Sequence, residues 1–201
     1  ILLDAGMTIK VKRRIGPRTT DSNHGFPLYP NLVKGVVPTG PNQQWVSDIT
    51  YLSLTDCFCF LSLVTDAYSH MIVGYNLSLL MTAEQTIVAL EMALATLPEG
   101  DIDLIHHSDR GSQYCSHEYQ ARLSKYGFKV SMSGKGNCYD NAAMETFFKT
   151  IKAELIWRQT WHTRRQAELA IFEYINGFYN PRRKHSALGW KSPLAFERIA
   201  A

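Results

Sequence analysis

The hydrophobic period of this chain changes at Thr82, and that change restricts the possible folds more than any other feature. Upstream, apolar runs at 45–54, 57–65 and 71–79 are rich in β-branched and aromatic residues and too short for helices. The first carries apolar residues on both faces, as a central strand needs. Asp66-Ala67-Tyr68-Ser69 reads as the turn between the second and third runs, so the three form a meander. Downstream, Ile87, Leu90, Leu94 and Leu97 recur at helical spacing until Pro98, with Thr82 to Gln85 placed as a capping box.

Strand and helix then alternate. A short buried strand is predicted over 102–106, a helix over 116–126 and a strand over 128–133, followed by a Gly134-Lys135-Gly136-Asn137 loop too glycine-rich for a stable element. Asp140 is placed to cap a helix over 140–159, in which Met144, Phe147, Phe148, Ile151, Leu155 and Ile156 form one stripe. A last helix starts at Thr163, with Gln166 as its capping partner. It carries Ala167, Ala170, Ile171, Tyr174, Ile175 and Phe178 on one face and stops at Asn180-Pro181. The order β-β-β-α-β-α-β-α-α predicts an α/β fold: a mixed five-stranded sheet, the meander plus two parallel strands, flanked by helices.

Residues 1–44 differ in character. They combine Lys10, Lys12, Arg13 and Arg14 with Pro17, Pro27, Pro30, Pro38 and Pro41, and read as a basic extended arm or linker. The chain opens on Ile1 rather than Met, so a segment upstream is expected. Residues 45–162 are expected to form the core domain, with 163–201 belonging to it as a C-terminal helix and basic tail. The aromatic residues Trp157, Trp161, Tyr179 and Trp190 are expected to pack in the core or at a subunit interface rather than stack on bases.

Composition excludes several classes. An apolar content of 45% rules out disorder, and no run approaches the roughly 18 residues of a membrane span. Of four cysteines only Cys57 and Cys59 lie close in sequence; with no second pair to complete a zinc site they read as small core residues in a reducing cytoplasm. The net charge of +3 conceals a segregation: residues 1–47 carry +4, residues 48–148 carry −7 and residues 149–201 carry +6. That layout suggests a carboxylate-lined site between surfaces that attract a polyanion.

Three acidic residues stand where such a site needs them. Asp48 lies in the first strand, Asp109 just past the short strand, and Glu145 in the first turns of the 140–159 helix. If the first and fourth strands are neighbours, Asp48 and Asp109 converge at one mouth and the helix closes it with Glu145. Three close carboxylates repel unless cations neutralise them, and hard oxygen donors suit Mg²⁺ or Mn²⁺. Two such ions about 3.5–4 Å apart would serve an in-line phosphoryl displacement. Lys149 and Lys152 follow Glu145 by four and seven residues, which puts all three near one helix face, away from the apolar stripe.

Four segments make the chain recognisable: W-V-S-D-I-T-Y-L (45–52), H-S-D-R-G-S-Q-Y (107–114), S-M-S-G-K-G-N-C-Y-D-N-A-A-M-E-T-F-F-K-T-I-K-A-E (131–154) and Y-N-P-R-R-K-H-S-A-L-G-W-K-S-P (179–193). Together they closely resemble the catalytic subunit of bacterial insertion-sequence-three family transposases, which share the integrase core of retroviruses. The 35 residues between Asp109 and Glu145 match the spacing of that Asp-Asp-Glu class. The resemblance implies a ribonuclease-H-like fold, with Asp48, Asp109 and Glu145 as the catalytic, metal-binding triad.

It further implies Mg²⁺- or Mn²⁺-dependent cleavage at transposon ends by an activated water, then attack of the freed 3′-hydroxyl on another phosphodiester. Lys152 matches a basic residue that contacts transposon-end DNA, and Lys135, Asn137, Lys149, Arg182, Arg183 and Lys184 are expected to add contacts. Gly134 stands where the family motif often has Arg. Implied partners are terminal inverted repeats, target DNA, further copies of the chain on paired ends and an upstream helix-turn-helix region, of which 1–44 would hold the tail. The expected setting is the bacterial cytoplasm, at the nucleoid. Competing readings are a ribonuclease-H-like nuclease that hydrolyses without joining, and an inactive DNA-binding relic.

Overall fold

Strand β1 (Gln44–Ser53) is apolar enough to be buried on both faces, and the sheet is built outward from it. The computed structural model describes residues 24–100, 102–134 and 142–200. Antiparallel to β1 lies β2 (Phe58–Asp66), and antiparallel to β2 lies β3 (Ile72–Ser78). On the other side of β1 run β4 (Ile105–Ser108) and then β5 (Lys129–Met132), both parallel, giving the order β3-β2-β1-β4-β5. The predicted mixed five-stranded sheet is therefore the observed one. Strand β4 begins later than expected, because its centre is the buried polar pair His106-His107 rather than the apolar residues 102–104.

Helices cover both faces. On one side α1 (Ala83–Leu94), the single turn α2 (Ser112–Cys115) and α3 (His117–Lys125) enclose Trp45, Ile49, Val64, Leu90, Tyr119 and Leu123. Gly74 on β3 makes the α1 contact possible: a Cβ there would collide with the Ala89 carbonyl and lie 2.9 Å from the Ala93 nitrogen. The buried face of α1 accordingly runs through Ala89 and Ala93, and the Thr82 side chain makes no cap hydrogen bond. Ser116 does cap α3, accepting from the Tyr119 amide at 3.3 Å.

On the other face lie α4 (Ala142–Glu154), a 3₁₀ turn at Ile156–Arg158, and α5 (Arg164–Phe172). Phe147, Phe148, Ile151, Ile156, Ile171 and Ile175 pack there against Val46, Leu52, Leu61 and Leu63, each fully buried Leu or Ile contributing about 1.5–3 kcal/mol. The expected cap Asp140 lies outside the described residues, as does the Met144 side chain. Thr163 caps α5, its hydroxyl accepting from the Gln166 amide at 3.1 Å, while the Gln166 carboxamide accepts from the His162 amide at 3.0 Å.

Beyond α5 the helix widens to i→i+5 hydrogen bonding over Glu173–Tyr179 and returns to α geometry in α6 (Asn180–Arg182). The wide turn advances the buried face by one residue: Tyr179 is buried and the expected Phe178 is exposed. Pro181 sits in the first turn of α6 and does not stop the helix there. A final helix α7 (Pro193–Ala200) docks through Glu197, whose carboxylate accepts from the Ser69 hydroxyl at 2.6 Å.

One expectation about a single side chain needs correction. Cys57 is exposed, while Cys59 is buried with its thiol pushed up to about 11 by burial. Trp161 and Tyr179 are buried, but Trp157 and Trp190 are 72% and 70% exposed. Within 1–44, residues 24–32 lie along the β4–β5 edge. The His24 ring donates to the Arg110 carbonyl at 3.0 Å, the Met132 amide to the Pro30 carbonyl at 3.2 Å, and the Leu32 amide to the Ser131 hydroxyl at 2.8 Å.

Candidate active site

The parallel ladder between β1 and β4 ends at the pair Ser47 and Ser108. The next residue of each strand is an aspartate, so the register sets Asp48 and Asp109 side by side where β1 runs on and β4 stops. Carboxyl ends of adjacent parallel strands are where open α/β sheets bind ligands. Asp48 is half-buried and accepts from the Ile49 amide at 2.8 Å; Asp109, also half-buried, accepts from the Gly111 amide at 2.8 Å. Gly111 permits this geometry, since a Cβ there would stand 2.9 Å from that carboxylate oxygen.

Behind the aspartates the strands are braced by buried polar groups. His106 Nε2 lies 2.8 Å from the Ser47 hydroxyl and 3.0 Å from the Tyr119 hydroxyl, and His107 Nδ1 lies 2.9 Å from the Ser131 hydroxyl. Burial, with His107 alongside, pulls the His106 pKa down to about 3, so this support is neutral near pH 7.

Tyr114 was not anticipated. It stands one turn past Asp109 in α2, 2% exposed, and its hydroxyl has no hydrogen-bond partner among the described residues. Burial pushes its phenol well above the usual range, and Tyr119, Asp48 and Asp109 add to the rise. A buried hydroxyl within electrostatic reach of two carboxylates, and without a hydrogen-bond partner among the described residues, is a polar atom left for a ligand or water to satisfy. Its sequence signal was its place in the 107–114 segment; a four-residue helix leaves no periodic trace.

Helix α4 crosses β1 and supplies the third side. Lys152 is half-buried, which lowers its pKa, while the Asp48 carboxylate acts in the opposite direction. Its ammonium lies 5.3 Å from the centre of the Tyr51 ring. Glu145 lies two turns earlier in α4, about 10 Å along the axis, with its side chain outside the described residues. Among the described residues no three His, Cys, Asp or Glu side chains cluster as a metal site.

The predicted polyanion contacts divide. Lys135 and Asn137 lie outside the described residues. Lys149 is exposed on α4, Arg182 is exposed at the end of α6 and Lys184 is exposed just past it. Arg183 instead holds Glu154, with Nε 3.0 Å from both carboxylate oxygens and Nη2 2.7 Å from one, and the Tyr174 hydroxyl donates to the same carboxylate at 2.6 Å. Arg183 thus ties the segment after α6 to the end of α4.

A mixed sheet of this order, with aspartates at the split between its central parallel strands and a helix laid across them, defines the ribonuclease-H-like class. Integrase core domain models match residues 38–138 and 126–193, and the chain belongs to the integrase core domain family. It is 48% identical over 181 residues to the insertion element IS600 uncharacterized 31 kDa protein of Shigella sonnei, covering 89% of this chain and 65% of that one. It is 39% identical over 193 residues to transposase InsF for insertion sequence IS3A of Escherichia coli (strain K12), covering 96% of this chain and 66% of the relative. The chain therefore spans a little under two thirds of either relative.

Among solved structures, the HTLV-2 integrase catalytic core domain in complex with magnesium shares the fold with a TM-score of 0.59 at 18% identity, over 79% of this chain and 98% of that one. A simian T-cell lymphotropic virus intasome in complex with PP2A regulatory subunit B56 gamma gives a TM-score of 0.61 at 16% identity, over 90% and 61%. No helix among the described residues is long and apolar enough to cross a membrane.

Proposed function

We propose that this chain is the catalytic region of an insertion-sequence transposase, cleaving DNA at transposon ends and joining the 3′-ends to a target. The observation that carries the reading is the β1–β4 register, which sets Asp48 beside Asp109 under a helix bearing Glu145. The donor set fits hard divalent cations, because both aspartates present carboxylate oxygens at a half-open edge and the Tyr114 hydroxyl supplies a nearby buried polar group. Asp48, Asp109 and Glu145 would hold one or two Mg²⁺ or Mn²⁺ ions, which when bound supply Lewis-acid activation of the attacking and departing oxygens.

The chain's own residues do the positioning. Gly111 and Ile49 fix the aspartate oxygens through their amides, while the neutral His106 ties β4 to Ser47 of β1 and His107 ties β4 to Ser131 of β5 behind them. Lys152 and Lys149, with Arg182 and Lys184 beyond, offer cations to the DNA backbone. Copies of the chain would pair two transposon ends, with an upstream helix-turn-helix region recognising the inverted repeats, in the bacterial cytoplasm at the nucleoid.

Strand transfer with pre-cleaved end DNA and Mg²⁺ tests the reading. Losing an outer-shell partner of a metal site typically costs 10–100-fold, so Asp48→Asn, Asp109→Asn and Glu145→Gln should each lower transfer more than about a hundredfold, with circular dichroism unchanged. Transfer surviving any of the three overturns the triad; hydrolysis without joining by the unaltered chain overturns the transposase reading in favour of a nuclease.

A further inference from the structure

Past Asp48, the overhanging end of β1 and the segment after α4 enclose a pocket of about 450 Å³, within the range that holds small-molecule ligands. Tyr51 and Thr55 line one wall; Lys152, Trp157, Gln159 and Trp161 line the other. The wall is braced. The Trp161 indole donates to the Ile156 carbonyl at 3.0 Å, and the Trp161 carbonyl accepts from the Thr55 amide at 2.9 Å and hydroxyl at 3.2 Å. Against the buried Ile156 and Trp161, Trp157 stands 72% exposed on a 3₁₀ turn held in place on both sides.

Trp157 offers a fixed, exposed indole face on the rim of this cleft, where stacking a flat aromatic ligand would gain about 25 cal/mol for each Å² covered. The neighbouring cation narrows the ligand. Lys152 projects over Tyr51, giving an aromatic platform and an ammonium side by side, the pairing that binds unpaired nucleotides through base stacking and a phosphate contact. Tyr51 is three residues beyond Asp48, about 10 Å along the strand, which places the pocket within a few nucleotide steps of the aspartates.

We propose that this pocket takes an unpaired nucleobase of the DNA strand near the scissile phosphate, stacked on the Trp157 indole with Lys152 on its phosphate. A paired base keeps its faces inside the duplex, so the nucleotide must be extruded or already single-stranded. The inference rests on the transposase reading and assigns that site a base-binding subsite.

The probes are a blunt 20-base-pair duplex and the same duplex with a four-nucleotide overhang carrying 2-aminopurine, each titrated with the full chain. A third duplex has an abasic overhang. The unaltered chain should quench 2-aminopurine and prefer the base-bearing overhang about tenfold over the abasic one. Trp157→Ala should abolish the quench and the preference while keeping blunt-duplex affinity, and Trp157→Phe should keep most of both. Equal binding of base-bearing and abasic overhangs by the unaltered chain overturns the subsite. So does a Trp157→Ala protein that keeps its preference but sediments as a smaller species than the unaltered chain, which would assign the face to contact between copies. Failure to bind the blunt duplex as well overturns the DNA reading itself, and is told apart by that loss.

Discussion

Tyr114 carries an unusual burden for one residue. A buried hydroxyl without a partner costs roughly 1–3 kcal/mol, and replacing it by hydrogen removes that cost. Tyr114→Phe should therefore raise the stability of the chain by about 1 kcal/mol in urea unfolding. If the hydroxyl serves the ions proposed between Asp48 and Asp109, the same change should raise the Mg²⁺ concentration for half-maximal strand transfer about tenfold, as loss of an outer-shell partner does. A variant that gains stability with unchanged Mg²⁺ dependence would separate Tyr114 from the site. Arg183 illustrates the converse. The sequence offers it as one of three adjacent cations, yet its fork is occupied by Glu154, a pairing 29 residues apart that no local pattern reveals.

At the scale of elements, α4 is the piece on which the proposed DNA contacts depend. Lys149 and Lys152 share a face, and each phosphate neutralised contributes about 0.9 to the slope of log affinity against log salt. Replacing both by Ala should flatten that slope by about 2 in a salt titration of duplex binding; an unchanged slope would reduce them to surface charges. Most elements were legible in the sequence, because they follow from period and capping. The β1–β3 meander, the α4 stripe and the Thr163 cap, worth about 1 kcal/mol, all have local causes. Asp48 and Asp109 stood out as acids inside the first strand and just past the short strand, but their proposed roles came from the family resemblance rather than from any period.

What escaped local reading depends on partners distant in sequence. Strand β4 is centred on two histidines whose burial is made possible by Ser47, Tyr119 and Ser131. The wide turn at Glu173–Tyr179 moves the buried face from Phe178 to Tyr179 without altering the apolar pattern. Of the aromatic residues expected in the core or at a subunit interface, period alone did not separate Trp161, which is buried, from Trp157, which is exposed beside the buried Ile156.

For the molecule as a whole, buried histidines set the acid limit. His106 is neutral in the folded chain down to about pH 3, and burial, with Arg183 and His70 nearby, brings His185 down to about 4. An unfolded histidine titrates near 6.5, so below that pH the unfolded chain binds protons that the folded chain does not, and stability falls as pH falls. Each such group contributes up to about 1.4 kcal/mol per pH unit. Asp66 and Glu197, raised by burial, act in the opposite sense closer to the carboxylate range. Urea unfolding at pH 7.5 and 5.5 should show a loss in acid, and His106→Gln should reduce its slope; a pH-independent midpoint would contradict the neutral, buried state of His106.

The three hydrogen bonds that fasten residues 24–32 across the β4–β5 edge carry one more consequence. One of them ends on the peptide of Arg110, the residue next to Asp109, and another on Ser131, which also touches His107. Tension applied through that strap would reach the Arg110 carbonyl, one residue past Asp109, and, through Ser131, the His107 ring in β4. Residues 24–32 are thus coupled, through one carbonyl and one hydroxyl, to the β4 end that precedes Asp109.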